Sequence, residues 1–291
     1  MDLPTLHPHH KRSIVYITLG LCLGLVFWYF LPLFFLKEPA VVRSKSKIHA
    51  YHNTDSSLEK IRIRAFYVVP QNKTADAVPN WKEFLETALV RAAEFHEIQF
   101  REKSALYYNI YQEPVILEKN NDYYDTESTR HGNPKALISI GNELEKRVFK
   151  KDGDLYMENF SQRNESEYPV LAIIYEGVGA AGGVIYESEL ESVSEISKKL
   201  GLSESVIYKV DVESADGFFI LSRSYLTDEQ YKFNGITHFY HEFAHTFGLP
   251  DGYDLETGVS DTFDIMGEGR RKPIEIMYLD RKFTRAMGLA E

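Results

Sequence analysis

His241-Glu242-Phe243-Ala244-His245-Thr246-Phe247-Gly248-Leu249-Pro250-Asp251 is the stretch from which the rest of the chain is read. A helix running to about Phe247 places His241 and His245 one turn apart on one face. Two imidazoles so placed can hold one zinc ion, with Glu242 beside them as the base for an activated water. Gly248 suits the left-handed conformation that ends a helix, and Pro250 forbids its continuation. The reversing chain can return Asp251 as a third ligand. That leaves a fourth position open, as catalytic rather than structural zinc requires. Taken alone, the pattern also fits a helix with two solvated histidines and a surface glutamate. The glycine and the acid at fixed offsets beyond it argue against that.

A short way on comes Asp264-Ile265-Met266-Gly267. Gly248-Leu249-Pro250-Asp251-Gly252-Tyr253-Asp254 followed by this methionine turn resembles the immune inhibitor A-like peptidases and their metzincin relatives. The resemblance covers roughly the last sixty residues and elsewhere is one of element order. It implies an α+β, metzincin-like (zincin) domain, with a mixed twisted sheet over the zinc-binding helix. It implies one catalytic Zn2+, a protein or peptide substrate, and Met266 as a floor beneath the metal rather than a ligand. Asp251 stands where most metzincins have a third histidine. Tyr253 and Tyr278 are candidates for a phenol that reaches the reaction oxyanion, but Glu268 stands where many metzincins have a tyrosine, so no oxyanion tyrosine is assigned. Asp254 is an alternative third ligand. Asp254, Asp261 and Asp264 are either hydrogen-bond partners of a ligand histidine or turn residues. His96, His131 and His238 read as surface or local packing residues.

From these residues follows a zinc endopeptidase with Glu242 as general base. Two other readings stay open: a catalytically inactive, membrane-tethered binding module of the same fold, and a zinc hydrolase acting on a non-peptide bond.

The N-terminal part carries a different signal. Residues 14–36 are apolar and uncharged, long enough to span a bilayer as a helix. Trp28, Tyr29 and Phe30 favour an interface. A cleaved secretory signal would have a shorter apolar core and a small-residue cleavage site after it, so a retained single-pass anchor is expected. Lys11 and Arg12 argue for a cytoplasmic N-terminus, whereas Lys37, Arg43, Lys45 and Lys47 argue the reverse. The resemblance to a mostly secreted family favours an extracytoplasmic domain. The expected organisation is a tail over 1–13, the anchor over 14–36, a polar linker over 37–60 and the peptidase domain over 61–291.

The net charge is −10. Residues 1–37 carry Lys11, Arg12 and Lys37 against Asp2 alone, so the remainder is more acidic still. Nucleic acid is a poor partner for such a surface, because its binding rests on neutralising phosphates with Lys and Arg. Cys22 is the only cysteine. It lies inside the anchor, so no intrachain disulfide and no thiolate block on the zinc are available. Residues 120–127 are acid-rich and invite calcium, but they lack the alternation of an EF-hand loop.

Within the domain, residues 61–69 read as a first strand. Residues 81–100 carry a helical stripe of Trp81, Phe84, Leu85, Ala88, Leu89, Ala92, Phe95 and Ile98. Residues 105–117 read as a strand interrupted by Pro114, and 134–149 as a helix. Residues 168–175 are nearly continuous apolar, as a strand buried on both faces would be. Gly177, Gly179, Gly182 and Gly183 suggest a flexible rim before a short edge strand over 184–187. That rim is either a place where a peptide adds as a strand or an ordinary loop. A helix over 188–200, a strand over 217–221, the zinc helix capped by Asn234 or Thr237, and a last helix over 273–287 closed by Gly288 complete the order.

Overall fold

The computed structural model describes residues 48–125, 134–149, 167–186, 192–200, 207–208, 215–254, 257–260 and 262–289. The expected tail and the expected anchor over 14–36 lie outside them. Among the described residues no helix is long and apolar enough to cross a membrane.

Seven strands form one sheet: β1 (Lys60–Val69), β2 (Ala105–Ile110), β3 (Val115–Ile116), β4 (Tyr168–Tyr175), β5 (Ala180–Ile185), β6 (Ile207–Tyr208) and β7 (Gly217–Ser222). The spatial order is β2-β1-β4-β7-β5-β6, with β3 also on β1. Every pairing is parallel except β5 with β7. The helices are α1 (Trp81–Phe100), α2 (Asn121–Tyr124), α3 (Pro134–Leu144), α4 (Val193–Leu200), α5 (Ser224–Thr227), α6 (Gly235–His245) and α7 (Arg281–Ala286). The sheet is mixed, as the α+β reading expects, but mostly parallel.

A parallel sheet needs cover on both faces, because its crossovers place helices there. β4 is buried along its whole length. Val170, Ala172 and Ile174 point into the core shared with α1 and α6, and Leu171 and Ile173 into the one shared with α3. The stripe expected on α1 buries Trp81, Leu85, Ala88, Leu89, Ala92 and Phe95, while Ile98 is 71% exposed.

Several expectations need correcting. The linker does not extend to Lys60: Ile48, Ala50 and Leu58 are fully buried in the main core, and Tyr51 N donates to Phe247 O at 2.9 Å. The stretch is polar, charged and poor in periodicity, so it reads as a linker, but its few apolar residues reach a core built from distant segments. Pro114 splits the second strand into β2 and β3, both on β1. The glycine segment is not a flexible rim throughout, because Gly182 and Gly183 lie within β5. A Cβ at Gly182 would come 2.0 Å from the Glu242 carbonyl oxygen, so the glycine lets the sheet settle on α6. The last helix shrinks to α7, preceded by 3₁₀ turns at Glu268–Arg271 and Ile274–Ile276. Residues 188–191 of the helix expected over 188–200 lie outside the described residues.

Candidate metal centre

α6 lies against β5 and β7 and supplies His241, Glu242 and His245, all buried. Asn234 occupies the N-cap position without a side-chain cap bond; its amide instead faces His238 Nε2 at 3.3 Å. Gly248 has φ +90, and a Cβ there would meet the His52 ring at 2.8 Å. Glycine thus meets both the conformational and the steric demand of the turn. The chain then reverses and brings Asp251 back beneath the helix.

His241 Nε2 and His245 Nε2 lie 3.2 and 3.4 Å from Asp251 Oδ1, and 3.2 Å from each other. The opposite ring nitrogens are already engaged. His241 Nδ1 donates to Ile265 O at 3.0 Å and His245 Nδ1 to Leu249 O at 2.6 Å. With both protons held at Nδ1, the Nε2 lone pairs face each other and a carboxylate oxygen. Asp251 Oδ1 is buried and has no hydrogen-bond partner. Three acceptors so close repel one another unless a positive charge sits among them. Ligand atoms about 2.0–2.2 Å from a tetrahedral zinc lie roughly 3.4 Å apart, so the spacing suits such an ion. Among the described residues this is the group of His, Cys, Asp and Glu side chains that can hold a metal.

A proton can supply that positive charge. Burial alone would lower the His245 imidazole, but the Asp251 charge and hydrogen bond overcome it and raise its pKa to about 9. Burial likewise opposes the Asp251 carboxylate, yet the imidazoles hold it well below the usual range. Burial pushes the Glu242 carboxyl up, while His241 and His245 pull it back.

The turn Asp264–Gly267 supports the site from below. Its Ile265 carbonyl orients His241, and Met266 is fully buried, its carbonyl accepting from Gly252 N at 2.7 Å. The neighbouring acids do not reach the histidines. Asp254 caps Thr257 through its backbone and hydroxyl at 2.7 and 2.8 Å. Asp264 accepts from Thr262 Oγ1 at 2.8 Å and from Asp280 N at 3.2 Å. Both are turn residues, and His241 and His245 are oriented by backbone carbonyls instead; Asp261 lies outside the described residues. Residue type could not foretell this, since any residue offers a carbonyl. Asp125 of the acid-rich stretch is also structural, accepting from Tyr175 Oη and Val178 N, each at 2.9 Å.

The other histidines pack locally. His238 lies between Tyr225 and Tyr231, with ring centroids 4.9 and 6.3 Å away; burial lowers its pKa to about 3. His96 is fully buried. Its Nδ1 meets Tyr240 Oη at 2.8 Å and its Nε2 meets Ser104 Oγ at 2.7 Å. Ser104 gives its own proton to Leu58 O, so His96 donates from Nε2 and accepts at Nδ1. His131 lies outside the described residues. The sequence offers Tyr253 as a candidate oxyanion phenol and carries no signal for Arg270. The Tyr253 ring stacks on His241 at 6.0 Å and 28°, and Arg270 lies over that ring at 3.6 Å.

No protein-family profile matches the chain, and no curated protein matches it. Among solved structures it is similar to a zinc-dependent peptidase from Methanocorpusculum labreanum strain Z, at 12% identity and a TM-score of 0.35. The match covers 78% of this chain and 99% of that one. At that score the likeness carries no weight for function, which rests on the site.

Proposed function

We propose that the chain is a zinc-dependent endopeptidase of metzincin type, tethered to a membrane through residues 14–36 with its catalytic domain outside the cytoplasm. The observation that carries the reading is the convergence of His241 Nε2, His245 Nε2 and Asp251 Oδ1 within 3.4 Å of one another, with Asp251 Oδ1 buried. Softer thioether plays no part, and Met266 serves as packing.

When bound, zinc supplies Lewis-acid chemistry, acidifying water and polarising the scissile carbonyl. His241, His245 and Asp251 hold it, and the Ile265 and Leu249 carbonyls fix the two imidazoles with Nε2 toward it. Glu242 takes the proton of the attacking water and passes it to the departing amine. Its burial favours accepting that proton. Asp251 brings a negative charge that a third imidazole would lack.

The same helix faces a strand suited to a peptide. Ser222 N donates to Gly179 O at 2.8 Å and Ile185 N to Asp216 O at 2.9 Å. With this register, the backbone groups of Ala180 and Gly182 point away from β7. β6 covers that edge only at Val184 and Ile185. An extended substrate adds there as a further strand, its backbone bonded by Ala180 and Gly182.

The test uses the purified full chain, measuring zinc content and chelator-sensitive cleavage of casein. Wild type should hold one zinc and cleave. Asp251→Ala should lose most of the metal, and Glu242→Gln should keep it while losing about 10²–10⁴-fold in rate. Full activity in Glu242→Gln would refute the assigned base. Zinc without any cleavage would favour the inactive binding module.

A further inference from the structure

We propose that Arg270 is a specificity residue of the cleft: the free edge of its guanidinium receives a carboxylate of the peptide substrate. The inference rests on the zinc peptidase reading above and adds the chemistry of the peptide that the site prefers.

Arg270 is 8% exposed, and among the described residues it forms no ion pair. Burying a cation without a carboxylate partner is costly. Burial pulls the guanidinium below its ordinary pKa, as for a charge whose lost hydration is not replaced. The acid in its own turn is already engaged, since Glu268 Oε2 lies 3.3 Å from Arg271 Nη1. What holds Arg270 is the Tyr253 ring, 3.6 Å from Cζ, and the Gly267 carbonyl, which accepts from Nη1 at 2.8 Å.

Those two contacts leave one edge of the fork free. Among the described residues no hydrogen bond reaches Nε or Nη2, and neither atom is sealed from solvent. Nε and Nη2 project two nearly parallel N–H bonds, the pair that grips both oxygens of a carboxylate. The edge also stands close to the chemistry. The Tyr253 ring against Arg270 is stacked on His241, with centroids 6.0 Å apart, so the guanidinium is one ring away from a metal ligand. Asp251 and an ionised Glu242 together balance a bound dication. Arg270 then remains as a positive charge for the substrate to answer.

The alternative is that Arg270 only pins the turn. Matched peptides separate the two on the purified full chain. One set carries a single glutamate at successive positions, a second carries glutamine instead, and each is made with a free and with an amidated C-terminus. Wild type should favour a carboxylate-bearing peptide over its neutral counterpart by about 10-fold or more in kcat/KM, the scale of a charge-assisted hydrogen bond. A glutamate effect would assign the carboxylate to a side chain, and an amidation effect to the end of the peptide. Arg270→Gln should bring the ratio toward one by slowing the favoured peptide most. Arg270→Lys keeps the charge without the fork and should retain part of the preference. The same ratio should appear as affinity when fluorescent peptides are titrated onto the zinc-free chain, where no hydrolysis intervenes. Cleavage at equal rates across all the peptides in wild type would overturn the proposal without recourse to a variant, as would a preference that survives Arg270→Gln. A chain that takes up no zinc would sink the peptidase reading instead, and the titration would still decide this one.

Discussion

β4, at the centre of the sheet, is buried along its whole length on both faces, with wholly apolar side chains between its terminal tyrosines. From Gly248 to Asp280, the described chain holds only two 3₁₀ turns, Glu268–Arg271 and Ile274–Ile276. The first region is held by apolar burial, which is non-directional and tolerates small displacements. The second is held by aimed bonds. Gly252 N reaches Met266 O at 2.7 Å, Glu268 N reaches Thr262 O at 2.9 Å, and Thr262 and Asp280 both donate to Asp264. Ligand atoms must be placed to a fraction of an ångström, and directional bonds do this where packing alone does not. The sheet therefore carries most of the stability, and the irregular segment most of the precision.

That division can be broken experimentally. The largest effect is expected at Ile173, fully buried in β4. Ile173→Ala should cost about 2–5 kcal/mol in urea unfolding, yet leave the zinc affinity of the folded chain unchanged. A parallel fall in affinity would mean that the two regions are not separable.

His96 probes the seam, because it joins α1 to Tyr240 of α6 and to Ser104. Burial lowers its pKa to about 3, below the ordinary value of about 6.5. The unfolded chain therefore takes up a proton first. Stability is complete above pH 6.5 and is lost as pH falls toward 3, with about 2 kcal/mol gone by pH 5. His96→Gln should flatten that part of the stability–pH curve. An unchanged slope would show that His96 is not the titrating group.

The smallest effect on stability sharpens the contrast most. Thr262→Val keeps the shape and removes the hydroxyl that Asp264 accepts. Unfolding should change by about 1 kcal/mol, while zinc affinity drops several-fold through the turn that orients His241. Lost stability with unchanged affinity would reverse the comparison.

Signals of local origin were readable without coordinates. The period of 81–100 foretold α1, the unbroken apolar run of 168–175 foretold a central strand, and Gly248 with Pro250 foretold the end of α6. His241, Glu242 and His245 share a helix, so spacing alone orders them. Other features depend on partners far along the chain. Ile48 and Leu58 looked like linker because their core lies elsewhere in sequence. Gly182 looked flexible, although its missing Cβ admits the Glu242 carbonyl. Arg270 carried no signal at all: its place over the Tyr253 ring depends on the fold bringing the two together. Sequence by itself determined which side chains can bind a metal and move a proton, because that capacity belongs to residue type and helical pitch. Tertiary structure decided which acid meets the histidines and what holds all three, because those choices are made by the path of the chain through space.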